Sequence, residues 1–331
     1  MTRAGAFGTL EQQARERVLL LDGALGTEIA RLGLREEQYR GEPFAGHLWP
    51  LSGNHDVLAT SAPSILKAVH RAYLEAGCDV IETASFNSNR FSQAVYGLES
   101  RVYELNFRAA AVARSVADEF TARDPRAPRF VAGALGPSPF LLSRRTASGD
   151  GVPDAEQFRE AYAEQARGLI DGGCDLLLLE TVTCSRTLEA CLAGVSEAVR
   201  ALARPLPLSI SLALVDERGR TPSGETLDDF LPVIRAAQPF SVGLNCSLGA
   251  RAMRPLVSAL RDRFDGVVSV HPSAGLPGPG GRYAETPEIF ADLVGELARD
   301  GLARIVGGCC GTTPAHLRLL AERVRALSPA E

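Results

Sequence analysis

Gly172-Gly173-Cys174-Asp175-Leu176-Leu177-Leu178-Leu179-Glu180-Thr181 holds the plan of the fold in one line. Residues 154–171 before it have helical periodicity, with Asp154 and Gln157 spaced for a capping box. The glycine pair ends that helix. The leucine run is too short for a buried helix and suits a strand covered on both faces. It stops at a carboxylate and a threonine.

The same plan repeats on either side. Helical residues 63–76 lead through Gly77 to an apolar run at 78–81 and then Glu82-Thr83. Residues 100–121 lead to 130–134, 185–203 to 208–214, and 226–237, with Pro232 as a kink, to 241–244. Residues 250–264 lead to 267–270 and His271-Pro272, and 286–300 lead to 303–306. A first run at 18–21 ends in Asp22-Gly23, with a polar loop expected as far as Ser61, and helix 314–327 closes the pattern. Apolar runs separated by helices imply a parallel sheet closed into a (β/α)8 TIM barrel of the α/β class. A doubly wound open sheet fits less well, because no Gly-x-Gly-x-x-Gly follows an early strand. We expect a lead-in helix within residues 1–17, with Thr9 and Gln12 as its capping box, a single barrel domain over 18–327, and a tail at 328–331.

The chain has 331 residues, 45% of them hydrophobic, enough for one substantial core. A net charge of −5 without a basic block argues against nucleic acid as a partner. No apolar run is long enough to span a membrane, and the N-terminus lacks the apolar core of a signal peptide. Seven cysteines, an odd number in a long chain, argue against a disulfide framework. Together these point to the cytoplasm.

In such barrels the chemistry gathers where the strands end. Asp22, Glu82, Glu180, Cys246, His271 and the pair Cys309-Cys310 all fall there. Val306-Gly307-Gly308-Cys309-Cys310-Gly311-Thr312-Thr313-Pro314 brings two thiols to a helix start, with Thr313 as cap and Pro314 at the first position. Alone, the pair reads as well as a structural feature, buried thiols or a strained vicinal disulfide, as it does as a site. With Cys246 at another strand end it becomes a three-thiolate zinc site with an open fourth position. No Cys-x-x-Cys knuckle marks a closed structural site. Zinc of this kind keeps a substrate thiol deprotonated and nucleophilic. Asp22 and Glu180 beside it would suit a substrate carrying an ammonium group. Glu82 reads equally well as a loop cap, and His271 as a core histidine. Cys78 and Cys174 precede their strands and belong to the opposite end, Cys191 to a helix; Cys184 has a structural reading too.

These stretches carry a resemblance. Leu20 to Thr27, Ile81 to Ser88, Leu179-Glu180-Thr181, Gly243 to Gly249, His271 to Pro277 and Val306 to Pro314 resemble the homocysteine S-methyltransferase family over nearly the whole chain. The wording is most similar to the homocysteine-binding module of cobalamin-dependent methionine synthase. The resemblance implies a (β/α)8 barrel and zinc held by Cys246, Cys309 and Cys310. It also implies that Asp22 and Glu180 hold the homocysteine amino group, and that backbone amides around Gly23, Ala24 and Leu25 receive its carboxylate. The reaction implied is attack of a zinc-bound homocysteine thiolate on an activated methyl group, giving methionine. The family's Pro-Asn-Ala-Gly is Pro272-Ser273-Ala274-Gly275 here, leaving Ser273, a water or another group at the zinc's open position. Residues 273–284, rich in Gly and Pro, read as a flap. Methylcobalamin on a separate domain or chain, with folate modules elsewhere, is the donor the resemblance favours. S-methylmethionine or betaine is the alternative, and a non-catalytic zinc barrel a third.

Overall fold

The computed structural model describes residues 3–144, 151–200, 202 and 205–327. Eight strands form one parallel sheet in the order β1-β8-β7-β6-β5-β4-β3-β2. They are β1 Leu19–Leu20, β2 Val80–Glu82, β3 Phe130–Leu135, β4 Leu176–Val182, β5 Leu208–Leu212, β6 Ser241–Gly249, β7 Val267–Ser273 and β8 Ile305–Val306. A bridge between Leu21 and Val80 joins the ends of that order. Two backbone bonds flank it, Asp79 N–H to Leu20 C=O at 2.8 Å and Asp22 N–H to Val80 C=O at 3.0 Å. The sheet is thus a barrel, as the repeating plan implies.

Each strand is followed by a helix on the outside: α1 Pro63–Ala76, α2 Val102–Arg123, α3 Ala155–Gly172, α4 Ser185–Arg200, α5 Leu227–Ala237, α6 Ala250–Arg261, α7 Pro287–Arg299 and α8 Pro314–Arg325. Gly77 and Gly173 end α1 and α3 in the left-handed conformation that favours glycine. The Asp154–Gln157 capping box forms as its spacing predicts. The Cys-Asp pairs after these glycines prove to be strand anchors. Asp79 accepts the Leu20 N–H at 2.9 Å and is gripped by Arg17, while Asp175 accepts the Val131 N–H at 2.8 Å and pairs with Arg114. Each carboxylate fixes the register of its neighbour at the barrel's lower end, where Cys78 and Cys174 are buried.

The lead-in helix differs from expectation. It runs Arg3–Glu16, so Thr9 lies within it and is no cap. Leu10 and Ala14 pack with Leu21, Val80, Ala132, Leu178 and Ile305, which closes the bottom of the barrel. The expected tail, 328–331, lies outside the described residues, as do 201 and 203 of the expected helix 185–203, which is described as far as Arg200 with Leu202 in a bend.

The loop after β1 also differs. Short helices at Leu25–Arg31, Glu36–Arg40 and Leu58–Ser61 fold it around its own core. Ile29, Tyr39, Phe44, Leu51, Val57 and Leu58 are buried against Leu105, Ala109 and Val112 of α2. These apolar residues are too widely spaced to show a helical period, but each finds a partner once α2 supplies the opposite face.

Candidate active site

Apolar side chains set where each strand runs, and the functional groups begin where the apolar run stops. β4 and β6 extend past their leucines and valines, to Val182 and Gly249. Both lose register there, between Leu179 and Val182 and between Asn245 and Gly249. The cause is backbone conformation. Thr181, Cys246 and Ser247 all have left-handed φ near +56°: 56°, 55° and 56°. Non-glycine residues enter that region at a cost and cluster at functional sites when they do.

The turn at Cys246 brings its sulfur 3.5 Å from that of Cys310. The ligand atoms of Cys246, Cys309 and Cys310 all lie within 4.8 Å of one another, and among the described residues they are the one such cluster. All are free thiols, so there is no vicinal disulfide. Zinc–sulfur bonds of about 2.3 Å in a tetrahedron place sulfurs about 3.8 Å apart. The trio fits zinc, and leaves a fourth position open. Cys309 and Cys310 hydrogen-bond to the Cys246 sulfur and hold its thiol far below the usual thiol range, while Cys309 is pushed up in exchange. The Ser273 hydroxyl lies 3.9 Å from Cys246 Sγ.

The β8 loop is knitted to its neighbours through the backbone. Cys309 N–H donates to Pro272 C=O at 2.9 Å and Ala274 N–H to Cys310 C=O at 2.9 Å. Gly308 N–H donates to Asp22 C=O at 3.0 Å, and the Thr312 hydroxyl to Cys309 C=O at 2.7 Å. A Cβ on Gly23 would lie 2.6 Å from Thr312 Oγ1, so only glycine fits there. The Ala24 N–H, expected to be free for a carboxylate, donates to Thr312 Oγ1 at 3.2 Å. Leu25 follows as the first residue of its short helix, with no side chain capping it.

Asp22, Glu82 and Glu180 converge beside the sulfurs. Asp22 and Glu180 are almost wholly buried. Burial raises the Asp22 carboxyl well above the usual range, and Glu82 raises it further, although the Glu82 N–H donates to it at 3.1 Å. Burial likewise raises Glu180, followed by the charges of Glu82, Asp22 and Cys246. Glu82 is pushed up to about 7 by burial. The acids therefore repel one another, and a single ammonium would relieve all of them. Glu82, which sequence reasoning left divided between cap and site, stands in the site. Its strand-end position matched that of Glu180 and was the available signal.

His271 is buried beneath the site, and burial lowers it to about 4. It faces Asn245 in the β6–β7 register. Cys184 and Cys191 are buried away from the sulfur trio. Tyr283 was not anticipated. Its ring lies over Gly311, whose φ is +83°, so closely that a Cβ there would sit 2.2 Å from Tyr283 Cγ. Its phenol, raised to about 12 by burial and then by Cys310, hydrogen-bonds to the Cys310 sulfur. A Gly278 N–H to Arg282 C=O bond at 2.8 Å and a Glu285 N–H to Ala274 C=O bond at 3.0 Å fold the 273–285 segment over the trio.

The family model of homocysteine S-methyltransferases matches residues 19–324. The chain belongs to that family. Among solved structures, it is similar to the metallated form of the homocysteine methyltransferase MmuM from Escherichia coli. The identity is 25% and the TM-score 0.73, over 96% of this chain and 98% of that one. The oxidized form of the same protein matches with 24% identity and a TM-score of 0.73, over 98% of this chain and 100% of that one. The family's activity is methyl transfer to homocysteine, so the barrel is an enzyme with homocysteine as its substrate. Among the described residues no helix is long and apolar enough to cross a membrane.

Proposed function

We infer that this homocysteine S-methyltransferase forms methionine with zinc held by Cys246, Cys309 and Cys310. The observation that carries this is the sulfur trio, its ligand atoms within 4.8 Å of one another, with the buried acids Asp22, Glu82 and Glu180 beside it. Zinc, when bound there, would supply a thiol that is ionised at neutral pH yet still nucleophilic. Glu180, Asp22 and Glu82 hold the substrate ammonium and draw the amino acid toward Cys246. The residues Gly23 to Leu25 receive its carboxylate, with the Leu25 N–H the better placed of the amides. The homocysteine sulfur, its proton released to water, forms the new S–CH3 bond. The methyl–donor bond breaks with its electron pair remaining on the donor. Ser273 and Tyr283 flank the sulfurs and exclude water, and orientation supplies much of the rate.

Two donor readings remain. Loop wording like that of methionine synthase favours methylcobalamin, presented by a separate domain or chain. A small donor with a cationic centre, S-methylmethionine or betaine, is the second reading, because the acids beside the sulfurs would attract a sulfonium or quaternary ammonium. Initial rates of methionine formation by zinc-loaded protein, with each donor at saturation, separate the two. Rapid turnover with a small donor and none with methylcobalamin selects the second reading. The reverse selects the first. No turnover with any of them, from protein that binds homocysteine, would sink the catalytic reading in favour of a zinc barrel without activity.

A further inference from the structure

Asn245 sits between the two halves of the site. Its side chain is 1% exposed. Oδ1 accepts the Thr181 N–H at 3.0 Å and the Ser211 hydroxyl at 2.7 Å, and Nδ2 donates to Thr181 Oγ1 at 2.8 Å. The orientation of the amide is forced, because a backbone N–H can only donate. Strands β4, β5 and β6 therefore meet at one side chain. On β4 the residue it grips directly follows Glu180. On β6 Asn245 itself directly precedes Cys246. Thr181 and Cys246 are also the left-handed residues, with φ of 56° and 55°. A β-branched threonine does not hold that conformation unaided.

We propose that Asn245 is a positioning residue that sets the spacing between the Glu180 carboxylate and the Cys246 sulfur, by holding the left-handed turn at Thr181. One homocysteine can then engage both ends. The proposal rests on the reading of the site as binding homocysteine through ammonium and thiol. It assigns Asn245 neither metal nor substrate contact. Its role is the distance between two subsites that each remain intact alone.

The test uses cobalt(II)-loaded protein, whose thiolate charge-transfer absorption reports a thiol entering the open position. Homocysteine and 2-mercaptoethanol, which lacks the ammonium, are titrated separately. Wild type must prefer homocysteine; equal affinities would defeat the functional reading itself, whatever Asn245 does. In Asn245→Ala the preference should fall by about tenfold or more, the loss of the buried bonds that fix the turn. Cobalt stoichiometry and 2-mercaptoethanol affinity should stay unchanged. Adding Thr181→Gly should recover about threefold of the loss, since glycine takes a positive φ without support while keeping the N–H. Thr181→Val keeps the shape, deletes only the Nδ2 bond, and should show a severalfold fall; it carries the test if Asn245→Ala does not fold. An unchanged preference in these variants, a proportional loss for both thiols, or no recovery in the double variant would overturn the proposal.

Discussion

Cys246 reaches its partners through a backbone turn that most side chains avoid, and the whole site depends on where that places one sulfur. On the proposed assignment each thiol of the trio is one of the protein's three ligands to the metal. Zinc-loaded protein should carry about one ion per chain, and Cys246→Ala, Cys309→Ala or Cys310→Ala should lose most of it on mild chelation. Cys78→Ala and Cys174→Ala, at the other end of their strands, should keep it. Metal analysis after gel filtration checks this, and full occupancy in all three trio variants would refute the assignment. Glu180 makes a different prediction. Its burial among like charges raises its carboxyl, which on the proposed reading is a cost to the empty protein that the ligand's ammonium would offset. Glu180→Gln should raise the melting temperature of the ligand-free form, by the equivalent of roughly 1–3 kcal/mol. It should weaken homocysteine binding by about 2–5 kcal/mol, because a buried ammonium loses its charged partner. Calorimetry of both quantities in one variant reads the trade directly. A variant that is less stable and binds equally well would remove Glu180 from the ammonium site.

Among the elements, the segment from Ser273 to Glu285 couples to the sulfurs through one aromatic ring. Gly311 makes room for that ring. Gly311→Ala places a methyl 2.2 Å from Tyr283 Cγ at a φ of +83°. It should cost on the order of 1–3 kcal/mol and displace the flap while the cysteines keep their metal. Faster proteolysis within 276–283 at unchanged zinc content would show it; an unaltered cleavage rate would mean the ring does not pin the flap. The elements also show what the sequence could reveal. Leucine runs such as 176–179 declare buried strands, and Gly77 and Gly173 declare helix ends, because those signals are local. Asp22, Glu180 and the cysteines were legible because each follows such a run. The β1 loop was not, since Ile29, Tyr39 and Leu51 are unremarkable until α2 packs on them. Thr181 and Cys246 were not either: neither residue type announces a left-handed turn, and the amide that holds one of them lies 64 positions from it. Tyr283 was hidden in a Gly- and Pro-rich stretch that reads only as a loop.

For the molecule as a whole, buried titratable groups set the response to pH, and they pull in opposite directions. His70 and His271 are lowered to about 4 from an ordinary 6.5, so the unfolded chain binds more protons between those values. Their contribution to stability rises with pH through that window and is complete above it. Glu82 and Asp56 are raised to about 7, with Asp22 and Glu180 raised as well. Here the folded chain binds more protons, and stability falls as pH climbs from the ordinary carboxylate range through about 7. Below about 6.5 the effects oppose each other; above it only the carboxylates act. Four raised carboxylates outweigh two lowered histidines in that window, so ligand-free protein should lose stability as pH climbs from about 5, most steeply once the histidines no longer compensate, between about 6.5 and 8. Saturating homocysteine should flatten the alkaline limb, because its ammonium pairs with the ionised acids. Asp56, outside that pocket, should preserve part of the slope. Thermal denaturation across pH, with and without ligand, decides it, and a stability that climbs steadily to pH 8 would contradict the balance drawn here.

The strand order has a consequence for how a cell makes this enzyme. β8 pairs with both β1 and β7, so the first strand synthesised waits for the last. Cys246 and Cys310 are 64 residues apart in the chain. At ribosomal speeds of about 5–20 residues per second, one thiol emerges roughly 3–13 seconds before its partner. During that interval no zinc site exists, and a reactive cysteine stands beside an unclosed seam. On the proposed zinc site, metal capture would follow completion of the last strand and mark it. A nascent chain stalled before Ile305 should hold no zinc, however much is present, because the ion would enter only a barrel that has already found both its ends.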